Sequence, residues 1–286
     1  MEPAGTQSFA IVTPTFAPDF QHCQLLVESV ERHVPESVKH YLIIDRLDEG
    51  LFAGMQSSRT QILIKQDILP WWLHQLPFAP KWWLSLRSLP LRGWIVQQLV
   101  KLSVNTVVPA DNYVFLDSGA MFVRDYDPAS TIQDDKIPFF REQKEEVRLS
   151  WNTRWHQVAA RLLGLPVQQS YDTNYEGNNP IYWRRENLTR LQRHIEQVTG
   201  KDWIVAVCRR PRMSEYVIYG MFVEHILKQD SGQYVTSNAR TLSYWETHPL
   251  SESELRDFRK KLRVNDFLVT FNEHAKIPTA AIRKVF

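Results

Sequence analysis

Four short apolar runs constrain the fold of this chain more than any other feature. They cover residues 9–13, 41–44, 61–64 and 113–116. Their apolar residues are nearly continuous rather than alternating, which is typical of strands buried on both faces. An amphipathic helical pattern over residues 25–30 separates the first two runs. We therefore predict an α/β fold whose mostly parallel sheet is covered by helices on both faces.

The composition is that of one globular domain. The chain has 286 residues, of which 43% are hydrophobic and 23% are charged, so it can bury a large core. Its net charge of +2 is small, and it has no basic run with interleaved aromatic residues. These features argue against a nucleic-acid partner. We predict a single domain over residues 1–286.

The sequence predicts a cytoplasmic protein. Its first residues lack the charged region and apolar run of a signal peptide. No apolar stretch approaches the roughly 20 residues that a membrane-spanning helix needs. Cys23 and Cys208 fit no metal or redox spacing, so we expect both thiols to be reduced.

Residues 67–92 form a segment rich in tryptophan and proline, with little periodicity. The residues concerned are Pro70, Trp71, Trp72, Pro77, Pro80, Trp82, Trp83 and Pro90. Two interpretations are open: an ordered loop packed by its own aromatic side chains, or a lid or acceptor platform. Because tryptophan favours membrane interfaces, peripheral membrane contact through residues 71–83 is a further hypothesis.

Polar residues follow three of the predicted strands, at Thr13-Pro14-Thr15, at Asp45 and at Asp117. Open α/β sheets bind ligands just beyond the carboxyl ends of their strands. Asp45 suits a base or ribose contact, whereas Asp117 suits Mg²⁺ or Mn²⁺ and Lys101 suits a diphosphate. The alternative is that strand-end aspartates only cap the helices that follow. Neither a P-loop nor a GxGxxG motif occurs, which disfavours an NAD-dependent oxidoreductase.

Glu215 is the best candidate for a general base. Ser214 is a predicted N-cap, which places Glu215 in the first turn of a helix, where the helix dipole favours the ionised carboxylate. Transfer with inversion needs one carboxylate within hydrogen-bond reach of the acceptor hydroxyl. A glutamate in a first helical turn is also common for stability alone.

Three later residues have two interpretations each. Asn178 and Asn179 precede a predicted strand and could bind sugar hydroxyls or form a turn. His274 could supply a metal ligand from the end of the chain or be an ordinary surface histidine.

Several motifs occur together in a fixed order. They are Ile11-Val12-Thr13-Pro14-Thr15, Ile43-Ile44-Asp45, Gly93-Trp94-x-x-Gln97-Gln98-x-x-Lys101-Leu102, Phe115-Leu116-Asp117-Ser118, Gly177-Asn178-Asn179-Pro180 and Ser214-Glu215-Tyr216-x-x-Tyr219-Gly220. Across most of residues 9–250 the chain resembles a largely uncharacterised family of bacterial GT-A-type glycosyltransferases. The Gly-Trp/Gln-Gln/Lys-Leu and Ser-Glu-Tyr/Tyr-Gly motifs are fairly specific together, although each is weak alone.

The resemblance implies a GT-A-like fold with a Rossmann-type sheet in one domain. Residues 9–124 would be the nucleotide-sugar-binding half and residues 125–286 the acceptor-side half. It also implies a UDP- or GDP-linked donor, with a divalent cation at an Asp-x-Asp motif. By analogy Asp117 is the first motif carboxylate, Glu215 the base at a helix start, and Lys101 a neighbour of the donor.

Gly119 departs from this pattern, because the motif has a second aspartate there. Three explanations are open: a metal held by Asp117 and phosphates, a metal-independent transferase that uses Lys101 or arginines, or a degenerate binding protein. Asp125 and Asp127 lie beyond another predicted strand, so replacement by either is disfavoured.

The expected activity is glycosyl transfer with inversion from a nucleotide-sugar to a glycan or lipid-linked acceptor. The main rival is a non-catalytic protein of the same fold that binds a nucleotide or glycan. The expected donor-binding residues are Thr13, Pro14, Thr15, Asp45, Trp94, Gln98, Lys101, Asp117 and Ser118. Glu215 is the expected base, Asn178 and Asn179 contact the acceptor or sugar, and Asp117 and His274 hold the metal.

Overall fold

A computed structural model describes residues 7–76, 78–143, 151–176, 179–210 and 212–286. The strands are β1 (Phe9–Pro14), β2 (Lys39–Ile44), β3 (Thr60–Ile64), β4 (Leu73–Leu76), β5 (Ala79–Ser85), β6 (Leu91–Arg92), β7 (Asn112–Phe115), β8 (Ala120–Phe122), β9 (Ile137–Phe140), β10 (Glu142–Gln143), β11 (Thr173–Asn174), β12 (Ile181–Arg184), β13 (Gln233–Thr236), β14 (Thr241–Tyr244) and β15 (Leu268–Phe271). The helices are α1 (Phe20–His33), α2 (Glu49–Phe52), α3 (Lys65–Ile68), α4 (Gly93–Ser103), α5 (Trp151–Leu163), α6 (Arg185–Thr199), α7 (Trp203–Cys208), α8 (Glu215–Met221), α9 (Glu252–Arg259) and α10 (Thr279–Val285).

The central sheet has five strands in the order β12-β7-β1-β2-β3. The strands β7, β1, β2 and β3 are parallel, whereas β12 runs antiparallel to β7 at one edge. The four runs predicted as strands are β1, β2, β3 and β7. The strands β1, β2 and β7 are buried as predicted, whereas the edge strand β3 is largely half-buried. The fold is a single α/β domain on a mixed sheet.

Alternate residues of the sheet pack against different layers. Ile11 and Val114 meet Leu26 and Val30 of α1 on one face. Val12 lies in the cluster on the other face, together with residues of α4, α6 and α8. Burial on both faces explains why these strands have no polar alternation in the sequence.

Residues 69–92 are more regular than predicted. After the short helix α3, the strands β4, β5 and β6 form a three-stranded antiparallel sheet, which we call the meander. The interpretation of this segment as a loop is therefore wrong. On β5, Trp83 is fully buried while its neighbours Trp82 and Leu84 are exposed. Because the outer face is also apolar, the period-2 signal of a half-exposed strand is missing from the sequence.

The C-terminal part adds a second small sheet, β14-β15-β8, in which β15 is antiparallel to β8. A capping box begins α9, because Ser251 and Glu254 bond to each other's backbone N–H groups. The last residues fold into α10. Within the described ranges, no helix combines the length and apolarity required to cross a bilayer.

Candidate functional site at the carboxyl ends of the strands

The order of the sheet reverses between β1 and β7. From β1 the chain builds outward to β2 and β3, and it returns to the other side of β1 with β7. The crevice beyond the carboxyl ends at such a switch point is where open α/β sheets bind ligands. Thr15 follows β1 and Asp117 follows β7, so both lie at this crevice.

Asp117 is exposed, and Asn179 fixes its position. The amide oxygen of Asn179 accepts the Asp117 backbone N–H over 3.1 Å, and its Nδ2 donates to Asp117 Oδ2 over 3.1 Å. Asn179 is 97% buried, and its own carbonyl accepts from Thr241. The amide of Asn179 therefore positions the carboxylate rather than pointing at a sugar. Its predicted companion Asn178 lies outside the described residues.

Lys101 and Glu215 form a buried ion pair beside Asp117. Lys101 Nζ lies 2.9 Å from Glu215 Oε1, with both side chains less than 10% exposed, and it donates to the Tyr216 hydroxyl over 2.7 Å. Burial alone would lower the pKa of Lys101, but the Glu215 carboxylate raises it well above its usual range, and Asp117 adds to the effect. The ammonium group thus stays charged, and the structure brings together three residues predicted from distant parts of the sequence.

The N-cap of α8 sets the position of Glu215. The Ser214 hydroxyl accepts the Val217 N–H, which confirms the predicted cap. The Glu215 N–H donates to Gln98 Oε1 over 3.1 Å. Gln98 Nε2 is buried and has no hydrogen-bond partner among the described residues.

Three candidate residues on one face of helix α4 lie in a row that ends at the ion pair. Trp94, Gln98 and Lys101 are spaced four and three residues apart, so they share one face of the helix. Trp94 is half exposed and lies 6.4 Å from Trp155, measured between ring centroids. The face therefore runs from an exposed aromatic residue to a buried cation.

A second acidic group adjoins Asp117. Ser118 donates its hydroxyl to Asp19 Oδ2 over 2.9 Å, and Asp19 lies next to Glu273. Burial raises the pKa of Asp19. Burial, followed by the repulsion of Asp19, raises the pKa of Glu273, with a smaller effect from Asp117. Sequence reasoning missed Asp19 and Glu273; the only available signal was the position of Asp19 in the first β–α connection.

Backbone packing explains the glycine at position 119. Phe271 donates its N–H to the Gly119 carbonyl over 3.0 Å, and a Cβ built on residue 119 would overlap the Phe271 carbonyl oxygen. A second motif aspartate therefore cannot occupy this position with β15 in place. The same strand leads directly to Glu273.

The Asp45 carboxylate, at the end of β2, is surrounded by hydrogen-bond donors from α3 and β4. Its carboxylate receives Lys65 at 2.8 Å, Gln66 at 2.9 Å and Gln75 at 2.7 Å, and it caps the turn at Leu47. Although burial opposes the shift, the bonds from Lys65 and Gln66 hold the pKa of Asp45 below its usual range. In this conformation the capping interpretation describes Asp45 better than a ribose contact.

The remaining predicted residues lie in different settings. Thr13 and Pro14 are buried in β1, and the Thr13 hydroxyl lies 3.0 Å from His40 Nε2. Thr15 is buried, with no hydrogen-bond partner for its hydroxyl in the described part of the chain. The His274 side chain is 73% exposed and approaches its neighbour Glu273 at 3.6 Å.

The acidic residues are oxygen donors of the kind that Mg²⁺ and Mn²⁺ prefer. Among the described residues, however, no three His, Cys, Asp or Glu side chains are arranged to hold a metal by themselves. A cation bound here would take one or two of these carboxylates and complete its shell with other oxygen ligands and water.

Fold and site define an α/β protein on a mixed five-stranded sheet, with a charged cluster at the switch point. The chain belongs to the family of unknown function DUF6492, whose model matches residues 9–264. The description of that family assigns no activity. Comparison with curated proteins finds no match.

Proposed function

We propose that this protein transfers a sugar from a nucleotide-diphosphate donor to an acceptor hydroxyl on a GT-A-like fold. One observation carries the proposal: at the switch point, the exposed Asp117 carboxylate lies beside the buried Lys101–Glu215 pair. The order of the parallel strands and the antiparallel β12 support the fold assignment. The resemblance in motifs supports the reaction.

Asp117 is the residue that would hold a divalent cation with the donor diphosphate. Such a cation, when bound, supplies charge neutralisation for the leaving diphosphate. Asn179 keeps the Asp117 carboxylate turned toward the crevice through its two hydrogen bonds. Lys101 adds a fixed positive charge behind this carboxylate.

Glu215 is the proposed base. Its ion pair with Lys101 engages Oε1, and no hydrogen bond to Oε2 forms within the part of the chain that the structure describes. The Lys101 ammonium holds the Oε1 end of this carboxylate in place over 2.9 Å. Proton transfer from an acceptor hydroxyl to Oε2 would make that hydroxyl a nucleophile, consistent with an inverting reaction.

The first test is thermal unfolding with a panel of nucleotides and nucleotide-sugars, with and without Mn²⁺. The proposal expects a UDP or GDP compound to raise the melting temperature, and Asp117→Asn to abolish the Mn²⁺-dependent part. Asp125→Asn is the matched control, because Asp125 is a nearby carboxylate that is 93% exposed. Loss of the shift in both variants would contradict the role of Asp117.

A second test separates catalysis from binding. Glu215→Gln should keep the nucleotide-induced shift and lose hydrolysis or transfer of the donor sugar. Equal turnover by Glu215→Gln and the wild type would contradict the base assignment.

A non-catalytic nucleotide- or glycan-binding protein is the second candidate. The observation in its favour is the burial of Glu215 and its engagement by Lys101, together with the glycine at position 119. Nucleotide binding without turnover in the wild type would favour this candidate. If no nucleotide shifts the melting temperature, the transferase and the nucleotide-binding form of the second candidate both fail.

A further inference from the structure

The outer side of the meander exposes a concentration of large apolar side chains. Their exposed fractions are 72% for Trp71, 100% for Phe78, 40% for Trp82, 44% for Leu84, 69% for Leu86 and 81% for Leu89. We call these six residues the apolar face. Single exposed apolar residues are ordinary on a protein surface, but a concentration within twenty residues of chain is typical of an interaction site.

The geometry of the meander produces this concentration. Trp83 points into the core, so Trp82 and Leu84 on either side of it point outward. Phe78 lies in the turn between β4 and β5, and Leu86 and Leu89 lie in the connection from β5 to β6. The apolar face therefore includes β5, the loops at its two ends, and Trp71 in the connection from α3 to β4.

The formally charged side chains within residues 68–92 have one sign. From residue 68 to residue 92 the sequence contains Lys81, Arg87 and Arg92 but no aspartate or glutamate. The Arg92 guanidinium lies 5.5 Å from the ring centroid of Trp82, and Arg87 lies 5.5 Å from that of Trp72. Aromatic and aliphatic groups are thus combined with exposed cations.

A cleft of about 680 Å³ extends this surface toward α7. It is lined by Leu86, Arg87, Ser88, Lys201, Asp202, Val205 and Arg209. Three cations against one carboxylate make the cleft suitable for an anionic headgroup.

We infer that the apolar face and its basic rim dock on the surface of an anionic phospholipid bilayer. Tryptophan, phenylalanine and leucine partition into the interfacial region, and adjacent lysines and arginines are attracted to anionic lipids. Charge complementarity selects this partner, because the segment offers cations and no anion. The inference does not depend on the proposed reaction.

Vesicle co-sedimentation tests the inference with the full chain. Vesicles of phosphatidylcholine alone are compared with vesicles that also contain phosphatidylglycerol. We expect binding to the anionic vesicles, at least about tenfold weaker binding to the neutral ones, and a loss of binding as salt is raised. Absence of binding to anionic vesicles, or equal binding to both kinds, would overturn the inference.

Two variants test whether vesicle binding takes place through the apolar face and its basic rim. Trp71→Ser/Phe78→Ser/Leu89→Ser removes exposed side chains, and Lys81→Gln/Arg87→Gln removes charge; each should weaken binding about tenfold or more. Leu47→Ser/Val264→Ser is the control, since these side chains are 71% and 89% exposed elsewhere. A control variant that loses as much binding as the apolar-face variant would overturn the assignment. A salt-resistant self-association that the apolar-face variant abolishes, without vesicle binding, would instead show a protein interface and refute the lipid partner.

Discussion

Phe271 donates its backbone N–H to the carbonyl oxygen of Gly119 over 3.0 Å, and no space remains for a side chain on residue 119. This contact brings the end of β15 against the residue that follows the Asp117-Ser118 pair. The carboxylate expected at position 119 is thus incompatible with the packing of β15. The same packing places Glu273, two residues beyond Phe271, in the electrostatic neighbourhood of Asp117.

Gly119→Ala should destabilise the fold, because the new Cβ overlaps the Phe271 carbonyl. Overpacking of this kind costs about 1–3 kcal/mol in the free energy of unfolding. Denaturant unfolding of the variant measures the loss. Gly54→Ala is the matched control, because a Cβ there meets no atom within 4 Å. Equal effects at the two positions would contradict the packing explanation.

Lys101→Met should be strongly destabilising, because it leaves the Glu215 carboxylate buried without its partner. Breaking a buried pair from one side costs roughly 3–5 kcal/mol, whereas replacing both partners costs much less. Lys101→Met/Glu215→Gln should therefore be more stable than Lys101→Met. A double-mutant cycle of unfolding free energies measures the coupling, and additive effects would refute it.

His40 should make the fold sensitive to acid. Burial, followed by the charge of Arg59, lowers the pKa of His40 to about 3, so the folded state resists protonation that the unfolded state accepts near pH 6.5. Its contribution to stability is present above pH 6.5 and is lost as the pH falls, at about 1.4 kcal/mol per pH unit. In His40→Gln the free energy of unfolding should change less steeply with pH, by about 1.4 kcal/mol per pH unit, because the variant lacks the one proton that His40 takes up on unfolding. Identical slopes for variant and wild type between pH 6.5 and about 3 would contradict this.

Asn179→Ala should leave the Asp117 carboxylate less well positioned. It should therefore reduce any Mn²⁺-dependent rise in melting temperature that a nucleotide produces. Removing the buried amide also leaves the Asp117 N–H without its acceptor, at a cost of about 1–3 kcal/mol. Thermal unfolding with and without ligand separates the two effects. Asn265→Ala, at an exposed position, should change neither quantity.

The sequence predicts the central sheet well because burial on both faces leaves continuous apolar runs, as in β1 and β2. It predicts α1 from the amphipathic helical pattern over residues 25–30. The sequence does not predict the meander, because its outward residues Trp82 and Leu84 are as apolar as the inward Trp83. Without polar residues on the outer face, the alternation that marks a half-exposed strand is absent. Helix α10, with seven residues, is too short to show a period.

The candidate site is predictable where its residues follow strands or begin helices. Asp117 and Glu215 are of this kind, and the structure places both near Lys101. Asp19 and Glu273 join the cluster from opposite ends of the chain, so no local pattern connects them. The role of Asn179 depends on a contact with Asp117 across 62 residues, which spacing alone cannot reveal.

The hydrogen-bond donors around Asp45 connect separate parts of the fold. Gln75 belongs to β4, so its bond to Asp45 ties the meander to the end of β2, and Lys65 ties the start of α3 to the same carboxylate. The meander and the end of β2 are therefore connected through one carboxylate. If the protein docks on a bilayer through the apolar face, the contacts of Asp45 would link the docked segment to the strand ends that border the crevice.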